Sequence, residues 1–299
     1  MKALVIYNPV AGGGRERLLQ RFVAALEARQ VTVLVYRTRG PGDATRWLAQ
    51  RGVGEDIVIA VGGDGTTNEV INGLPAGVPL GVFATGTANV LARELELPSA
   101  PEQAAEIIAS GEDLTIWPAR IGGRRFVMMA GLGYDAWVVN EVNLGLKSLV
   151  GKGAYVWSML RQLMRYGSHE YRLELDGREH RCYSAIITNG RYYGGSFLLS
   201  RRADISEPSL QVLMFRQPGL GPLLRCLLAL VFGRMEMVPG VESVAARRVR
   251  LAGPAGEPLQ TDGDPAGSLP AEISVDVQPL AVRVSSGRAA QAGRSRNAA

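Results

Sequence analysis

The run Val58-Ile59-Ala60-Val61-Gly62-Gly63-Asp64-Gly65-Thr66-Thr67-Asn68-Glu69 constrains this chain more than any other segment. Its apolar half shows no polar alternation, as expected of a strand in a parallel sheet covered on both faces. Glycines follow at once; they tolerate positive φ and let backbone approach a ligand closely. A helix then begins, and a helix start offers amides without carbonyl partners and the positive end of its dipole. Strand, glycine turn and helix start together make an anion site built from backbone. Thr66 or Thr67 can cap that helix or bond a phosphate oxygen. No Gly-Lys-Ser/Thr follows, so this is not a Walker loop, and the spacing is not GxGxxG. A tight capped turn accounts for a bare Gly-Gly pair but not for Asp64. A carboxylate inside a phosphate-cradling loop is unfavourable unless a metal or a reacting hydroxyl requires it.

The surrounding segments alternate in period. Residues 3–7, 31–36, 56–61 and 79–83 read as strands, while 15–29 and 43–51 show helical spacing. A further helix is expected over 87–97, stopped by Pro98. This alternation predicts an α/β sheet with ligands at the carboxyl ends of its strands. From about residue 119 strand-like runs dominate: 125–129, 170–175, 182–188, 210–215, 243–251, 272–277 and 280–284. Asp176-Gly177 and Asp262-Gly263 are hairpin-turn signals among them. Two helical segments, 153–166 and 222–232, interrupt. The expected organisation is an α/β domain over 1–118, a β-rich second domain over 119–285 and a disordered tail over 286–299. That tail is small, polar and dotted with arginine.

Composition excludes little. The net charge is +5, carried almost wholly by arginine; Lys2, Lys147 and Lys152 are the only lysines. Arginine-biased codon usage explains this as well as a basic binding surface does. The two cysteines, Cys182 and Cys226, are far apart and outside any CxxC spacing, which fits core positions in a reduced compartment. His169 and His180 have no metal-ligand spacing. The start carries no signal-peptide pattern, so a cytoplasmic location is expected. The most apolar stretch, 226–232, is far shorter than the ~20 residues that span a bilayer, so any membrane contact is peripheral.

Gly62-Gly63-Asp64-Gly65-Thr66 resembles the motif shared by diacylglycerol kinases, sphingosine kinases, bacterial lipid kinases of that type and NAD kinases. Three further segments are similar to the bacterial lipid kinases: Asn8-Pro9 with Gly12-Gly13-Gly14, Gly86-Thr87-Ala88-Asn89, and Asp262-Gly263-Asp264. They occur in the family's order over roughly residues 3–284. The resemblance implies a Rossmann-like α/β nucleotide-binding domain, a β-sandwich second domain, an ATP site between them, and transfer of a phosphoryl group to a lipid hydroxyl. Carried over by position, the nucleotide contacts are Asn8, Thr38, Gly62, Gly63, Asp64, Gly65, Thr66, Thr67, Asn68 and Thr87. Asp64 is expected to hold Mg²⁺ with ATP or to orient the acceptor, and Asp264 to act as general base. The family has glutamate where Asp264 stands; its shorter arm reaches about 1 Å less far, a shift that can matter to rate.

The resemblance also implies a structural Mg²⁺ in the second domain. Glu207 falls where the family has aspartate and Pro208 where it has glycine, with Asp204 and Ser209 at the backbone-carbonyl positions. Proline fixes φ and Mg²⁺ demands near-ideal octahedral geometry, so this site is expected to be weakened or lost. The implied partners are a lipid substrate and the inner face of a membrane, contacted peripherally; no nucleic acid is expected, and a homodimer is left open. Two stretches, 146–166 and 219–238, combine apolar residues with flanking basic ones; core packing is the favoured account of either alone. Two rival functions remain. One is an NAD kinase-like enzyme acting on a soluble alcohol. The other is a catalytically impaired, lipid-binding regulatory protein.

Overall fold

Parallel pairing at the amino terminus follows from strands that are apolar on both faces. β1 (Lys2–Tyr7), β2 (Thr32–Arg37), β3 (Ile57–Gly62) and β4 (Leu80–Ala84) lie side by side in the order β2-β1-β3-β4, all parallel. Every residue of β3 is buried, whereas β2, at the edge, alternates with exposed positions. Helices α1 (Glu16–Glu27), α2 (Asp43–Arg51), α3 (Asp64–Gly73), α4 (Val90–Glu94) and α5 (Pro101–Ser110) intervene, followed by β5 (Glu112–Ile116). Phe22 of α1 stacks on Phe83 of β4 at 4.5 Å inside a core that includes Tyr7, Ile59 and Ile108. α4 is shorter than the helix expected over 87–97: Asn89 adopts φ 50°, so the helical stretch starts only after it. α5, opened by Pro101 at its first turn, was not evident from apolar spacing alone.

The computed structural model describes residues 1–10, 16–143, 163 and 166–297. The chain divides into two compact units: Met1–Trp117 with Gly194–Ser196 and Val277–Ala299, and Pro118–Tyr193 with Phe197–Asp276. Gly12–Gly14 and nearly all of the 146–166 stretch lie outside the described residues, as does most of the helix expected over 153–166.

The second unit is built from strands β6 (Ala119–Ile121), β7 (Arg124–Phe126), β8 (Met129–Leu132), β9 (Tyr171–Leu175), β10 (Arg178–Cys182), β11 (Ser184–Thr188), β12 (Tyr192–Tyr193), β13 (Phe197–Leu198), β14 (Leu210–Phe215), β15 (Val241–Ala246), β16 (Arg248–Ala252), β17 (Pro258–Thr261), β18 (Asp264–Ser268) and β19 (Ala271–Val275). Twelve of them form two six-stranded sheets, β10-β9-β16-β19-β6-β7 and β15-β14-β11-β8-β17-β18, whose neighbours pair antiparallel, and β12 and β13 pair separately as a two-stranded ribbon. One apolar cluster draws on both sheets, with Phe126, Tyr171, Leu173, Val212, Val249 and Ile273 among its members. This is the sandwich arrangement, in which alternate residues of each sheet face a shared core. The run 243–251 is therefore not one strand: the chain leaves one sheet at Ala246 and enters the other at Arg248. Likewise 125–129 contributes to β7 and to β8. Among the described residues, helices α6 (Tyr134–Asn143) and α7 (Leu220–Val231) and a short 3-10 turn, Met235–Met237, also belong to the unit, and α6 packs on β8, β17 and β18. Cys182 and Cys226 are buried as expected, and burial pushes their thiols up to about 12 and about 11.

Strand β20 (Leu280–Val284) corrects the expected boundary at 285. It pairs parallel to β4 and antiparallel to β5, completing the first sheet as β2-β1-β3-β4-β20-β5. Periodicity identifies such a strand but not the sheet that receives it. The tail also departs from expectation: Ser286–Asn297 is a helix, α8, with Ala292 buried. Its alanine, arginine and glutamine are good helix formers, and this outweighs the disorder that low hydrophobicity suggests.

Candidate functional site

Four neighbouring carboxyl ends meet around the start of α3. The Asn8 amide donates to Val61 O at 3.1 Å, the Thr38 amide to Tyr7 O at 2.9 Å, and the Thr85 amide to Gly62 O at 2.8 Å. These bonds extend the sheet pairing one step past each strand and bring Asn8, Thr38, Gly62 and the 85–89 turn to one edge. Two glycines are required there. A Cβ on Gly62 would lie 2.4 Å from Thr66 Oγ1, and one on Gly86 would lie 2.5 Å from Gly63 Cα. The two glycine turns thus touch backbone to backbone, which no larger residue permits.

The side chains expected to meet nucleotide divide into two groups. Gly65 and Thr87 are exposed, and Thr38, Asn8, Gly63 and Asp64 are half-buried. Thr66, Thr67 and Asn68 are instead buried and engaged inside the unit. Thr66 Oγ1 accepts from Asn8 Nδ2 at 3.1 Å, Thr67 Oγ1 donates to Gly63 O at 3.2 Å, and Asn68 Oδ1 accepts from Asn72 Nδ2 at 2.7 Å. Their visible work is to fix the loop. The amides of the first turn remain the natural anion donors, because a helix start leaves them without carbonyl partners. Two polar atoms at the β4 end, Thr85 Oγ1 and Asn89 Oδ1, are buried without a hydrogen-bond partner among the described residues.

Asp64 is held more firmly than its sequence context suggests. Its Oδ1 accepts the Val90 amide at 2.7 Å, so it ties the start of α3 to the start of α4. Burial raises its pKa, and the amides of Val90, Asn89 and Leu91 oppose that rise. Glu69, not singled out from sequence, serves the same edge. Its carboxylate accepts the Gly42 and Ala44 amides at 2.7 and 3.2 Å, anchoring the start of α2 to α3.

In the second unit, Asp262-Gly263 is a hairpin turn with both residues at positive φ, 48° and 84°, joining β17 to β18. Thr261 pairs with Asp264, which is half-buried at the turn's exit. The Asp262 carboxylate accepts the amides of Val127, Met128 and Met129, each at 2.9 Å. Beneath the turn lies a chain of buried polar groups that motif reasoning missed. The Gly263 amide donates to Gln260 Oε1 at 3.0 Å, and Gln260 Nε2 donates to Asp135 Oδ2 at 2.6 Å. Tyr193 donates its hydroxyl to Asp135 Oδ1. Burial raises the Asp135 pKa, while the two hydrogen bonds oppose that rise. Gly131 makes room for this carboxylate: a Cβ there would stand 1.7 Å from Asp135 Oδ2. The available signal was a lone acid inside the apolar run 126–139.

The expected metal segment forms a turn. Asp204 Oδ1 accepts the Ser206 amide and hydroxyl at 2.9 and 2.7 Å, and the Asp204 carbonyl accepts the Glu207 amide at 3.0 Å. Glu207, Pro208 and Ser209 are half-buried. Among the described residues, no three His, Cys, Asp or Glu side chains cluster to hold a metal.

Comparison with known proteins agrees along the chain. Residues 2–120 match the family described as Diacylglycerol kinase catalytic domain, and residues 128–286 match YegS C-terminal NAD kinase beta sandwich-like domain. The chain is 32% identical over 295 residues to a diacylglycerol kinase of Mycobacterium tuberculosis (strain CDC 1551 / Oshkosh), covering 95% of this chain and 94% of that one. It is 29% identical over 282 residues to a diacylglycerol kinase of Staphylococcus carnosus (strain TM300), covering 91% of each. Its fold is similar to that of a putative diacylglycerol kinase from Bacillus anthracis str. Sterne (TM-score 0.79, 22% identity, 95% of each chain). The fold is also similar, more distantly, to that of an NAD kinase from Archaeoglobus fulgidus solved with ATP (TM-score 0.55, 15% identity, 99% of each chain). By sequence and by fold, the chain belongs to the diacylglycerol kinase family.

Proposed function

We propose that this protein is an ATP-dependent lipid kinase that phosphorylates the hydroxyl of an acceptor such as diacylglycerol. Family membership supports the kinase and its lipid class. The observation that carries the nucleotide assignment is the meeting of four strand ends at the start of α3, where Gly62 and Gly86 let the two turns pack backbone to backbone and half-buried Gly63 and exposed Gly65 present no side chain. That edge fits a triphosphate: amides and a dipole end for the anion, with Thr38 and Thr87 at its margin. Asn8 and Thr66 hold the loop in shape, and Gly63 and Gly65 admit close approach.

In the proposed reaction the acceptor oxygen forms a bond to the γ-phosphorus as the bond to the β-phosphate oxygen breaks, and ADP leaves. The acceptor proton passes to the Asp264 carboxylate, acting as general base. Asp262 and Gln260 keep the backbone beside Asp264 fixed. Mg²⁺, entering with ATP, would neutralise charge on the phosphates, and the Asp64 carboxylate would hold it at the start of α3. The test is ATP consumption with Mg²⁺ against diacylglycerol, phosphatidylglycerol, sphingosine and a polyprenol. Phosphorylated diacylglycerol is the expected product. Turnover with a water-soluble nucleoside alone would replace this reading with the NAD kinase-like one, and no turnover with any acceptor would favour the regulatory one.

A further inference from the structure

Helix α7 is apolar around most of its circumference. Arg225 is its only charged residue, and it has no acid. A helix of that kind belongs in a core or in lipid. One face is accounted for: Leu223 is buried with Tyr134, Val138 and Tyr166, and Leu227 packs at the margin of that cluster. Among the described residues, no such cluster covers the opposite face. Leu220, Leu224, Leu228 and Val231 recur at helical spacing and are exposed, with Leu228 and Val231 each at 61%. The chain continues the stripe through Phe232, 72% exposed, and Met237, 77% exposed. Scattered exposed leucines are ordinary, but a contiguous row ending in phenylalanine and methionine marks an interaction surface.

The border of this row is basic. Arg225 and Arg234 flank it, and neither forms an ion pair with a described residue. Exposed Arg201 and Arg202 adjoin it, because Ser200 Oγ donates to Glu236 Oε1 at 2.5 Å and Gly233 approaches Leu198. The nearby acid, Glu236, is engaged by that hydrogen bond. Four arginines around an apolar row would repel a second copy that presented the same face. They attract a surface that is apolar within and anionic at its border, which describes a bilayer containing acidic lipids.

We propose that α7 and the turn after it, through Met237, form the membrane-docking element, with Leu224, Leu228, Val231 and Phe232 entering the acyl boundary and the arginines meeting anionic headgroups. This rests on the lipid-kinase reading for its purpose but not for its test. The experiment compares co-sedimentation of the full chain with vesicles of phosphatidylcholine alone and with added phosphatidylglycerol. Wild type is expected to bind the anionic vesicles, and Leu228→Glu with Val231→Glu to bind them about tenfold or more weakly. Arg225→Glu with Arg234→Glu should weaken binding by at least about fivefold per arginine and remove its salt sensitivity. Turnover of a monomeric short-chain diacylglycerol should remain at the wild-type level in both variants. Undiminished vesicle binding by the leucine–valine variant would overturn the proposal. So would a lipid-free melting temperature several degrees lower, which would place this face inside the fold. A wild-type dimer that the substitutions dissociate would assign the face to a second copy instead. If wild type binds anionic vesicles through α7 yet phosphorylates no acylglycerol, the docking surface stands and the kinase reading fails.

Discussion

Asp64 accepts the backbone amide of Val90, so one carboxylate joins the first turns of two helices that follow neighbouring strands. Both glycine-rich turns at this sheet edge are therefore fixed by a residue also proposed to serve chemistry. Asparagine keeps the acceptor oxygen and removes the charge; alanine removes both.

Asp64→Asn should accordingly retain the wild-type melting temperature while losing turnover by orders of magnitude. Asp64→Ala should lose turnover equally and in addition cost about 1 kcal/mol, the usual value of a lost helix cap. ATP turnover and thermal melting of both variants check this. Near-normal turnover in a folded Asp64→Asn protein would remove the residue from the mechanism.

Asp264 stands at the exit of a fixed hairpin turn, and its substitution should affect rate more than fold. Asp264→Asn is expected to lower kcat by about a hundredfold or more with KM for ATP little changed, as for loss of a general base. A wild-type kcat would show that another group takes the proton. Asp264→Glu restores the family's residue and reaches about 1 Å further, so its kcat reports directly on how the base is placed.

The buried Asp135 can be separated into a charge and a hydrogen-bonding site. Asp135→Asn can accept from Gln260 Nε2 and donate to the Tyr193 oxygen, so it should fold. Asp135→Ala leaves both partners unsatisfied, at about 1–3 kcal/mol for each buried group. Burial raises the folded pKa of Asp135 above its unfolded value. A raised acid loses stability as pH climbs from the unfolded value, about 3.9, through the folded one. The Tm of Asp135→Asn minus that of wild type should therefore grow across that window and level off above it. A pH-independent difference would mean that the group does not titrate on folding.

Gly131→Ala places a Cβ where the Asp135 carboxylate lies and should destabilise the fold by several kcal/mol, on the order of the larger overpacking penalties. In an Asp135→Ala background the same substitution should cost much less, because the two atoms compete for one space. Denaturant melts of the four proteins in this cycle decide it; additive effects would contradict the arrangement.

Mg²⁺ added without nucleotide should raise the melting temperature little, since Asp204 already spends its carboxylate on Ser206 and its carbonyl on Glu207. A large, saturable rise abolished by Glu207→Ala would establish a structural metal site in this segment.

Much of the fold was legible because its signals are local. The fully apolar β3, the glycines after it and the two Asp-Gly turns each dictate their own geometry. The glycine loop, Asn8, Thr38 and the 86–89 turn were named from sequence, and the structure gathers them at one edge. Sequence did not show what Thr66 and Asp64 hold on to, because Asn8 and Val90 are brought near by the sheet. Asp135 and Gln260 escaped for the same reason: they are separated by 125 positions and meet only once β8 and β17 pair. The strand at 280–284 was seen, but its host sheet was not, since a period of two is indifferent to the identity of its neighbour.

The insertion of β20 between β4 and β5 sets an order on synthesis. When the ribosome has released the chain only through β5, β4 has an open edge and β5 has no strand beside it, since β20 is the partner that joins them. An unprotected parallel edge of that kind is prone to intermolecular pairing. The first sheet closes only when the last strand emerges, so the amino-terminal unit cannot mature ahead of the rest of the chain. A chain stopping at Asp276 would keep every residue of the glycine loop and still lack the strand that seals its sheet.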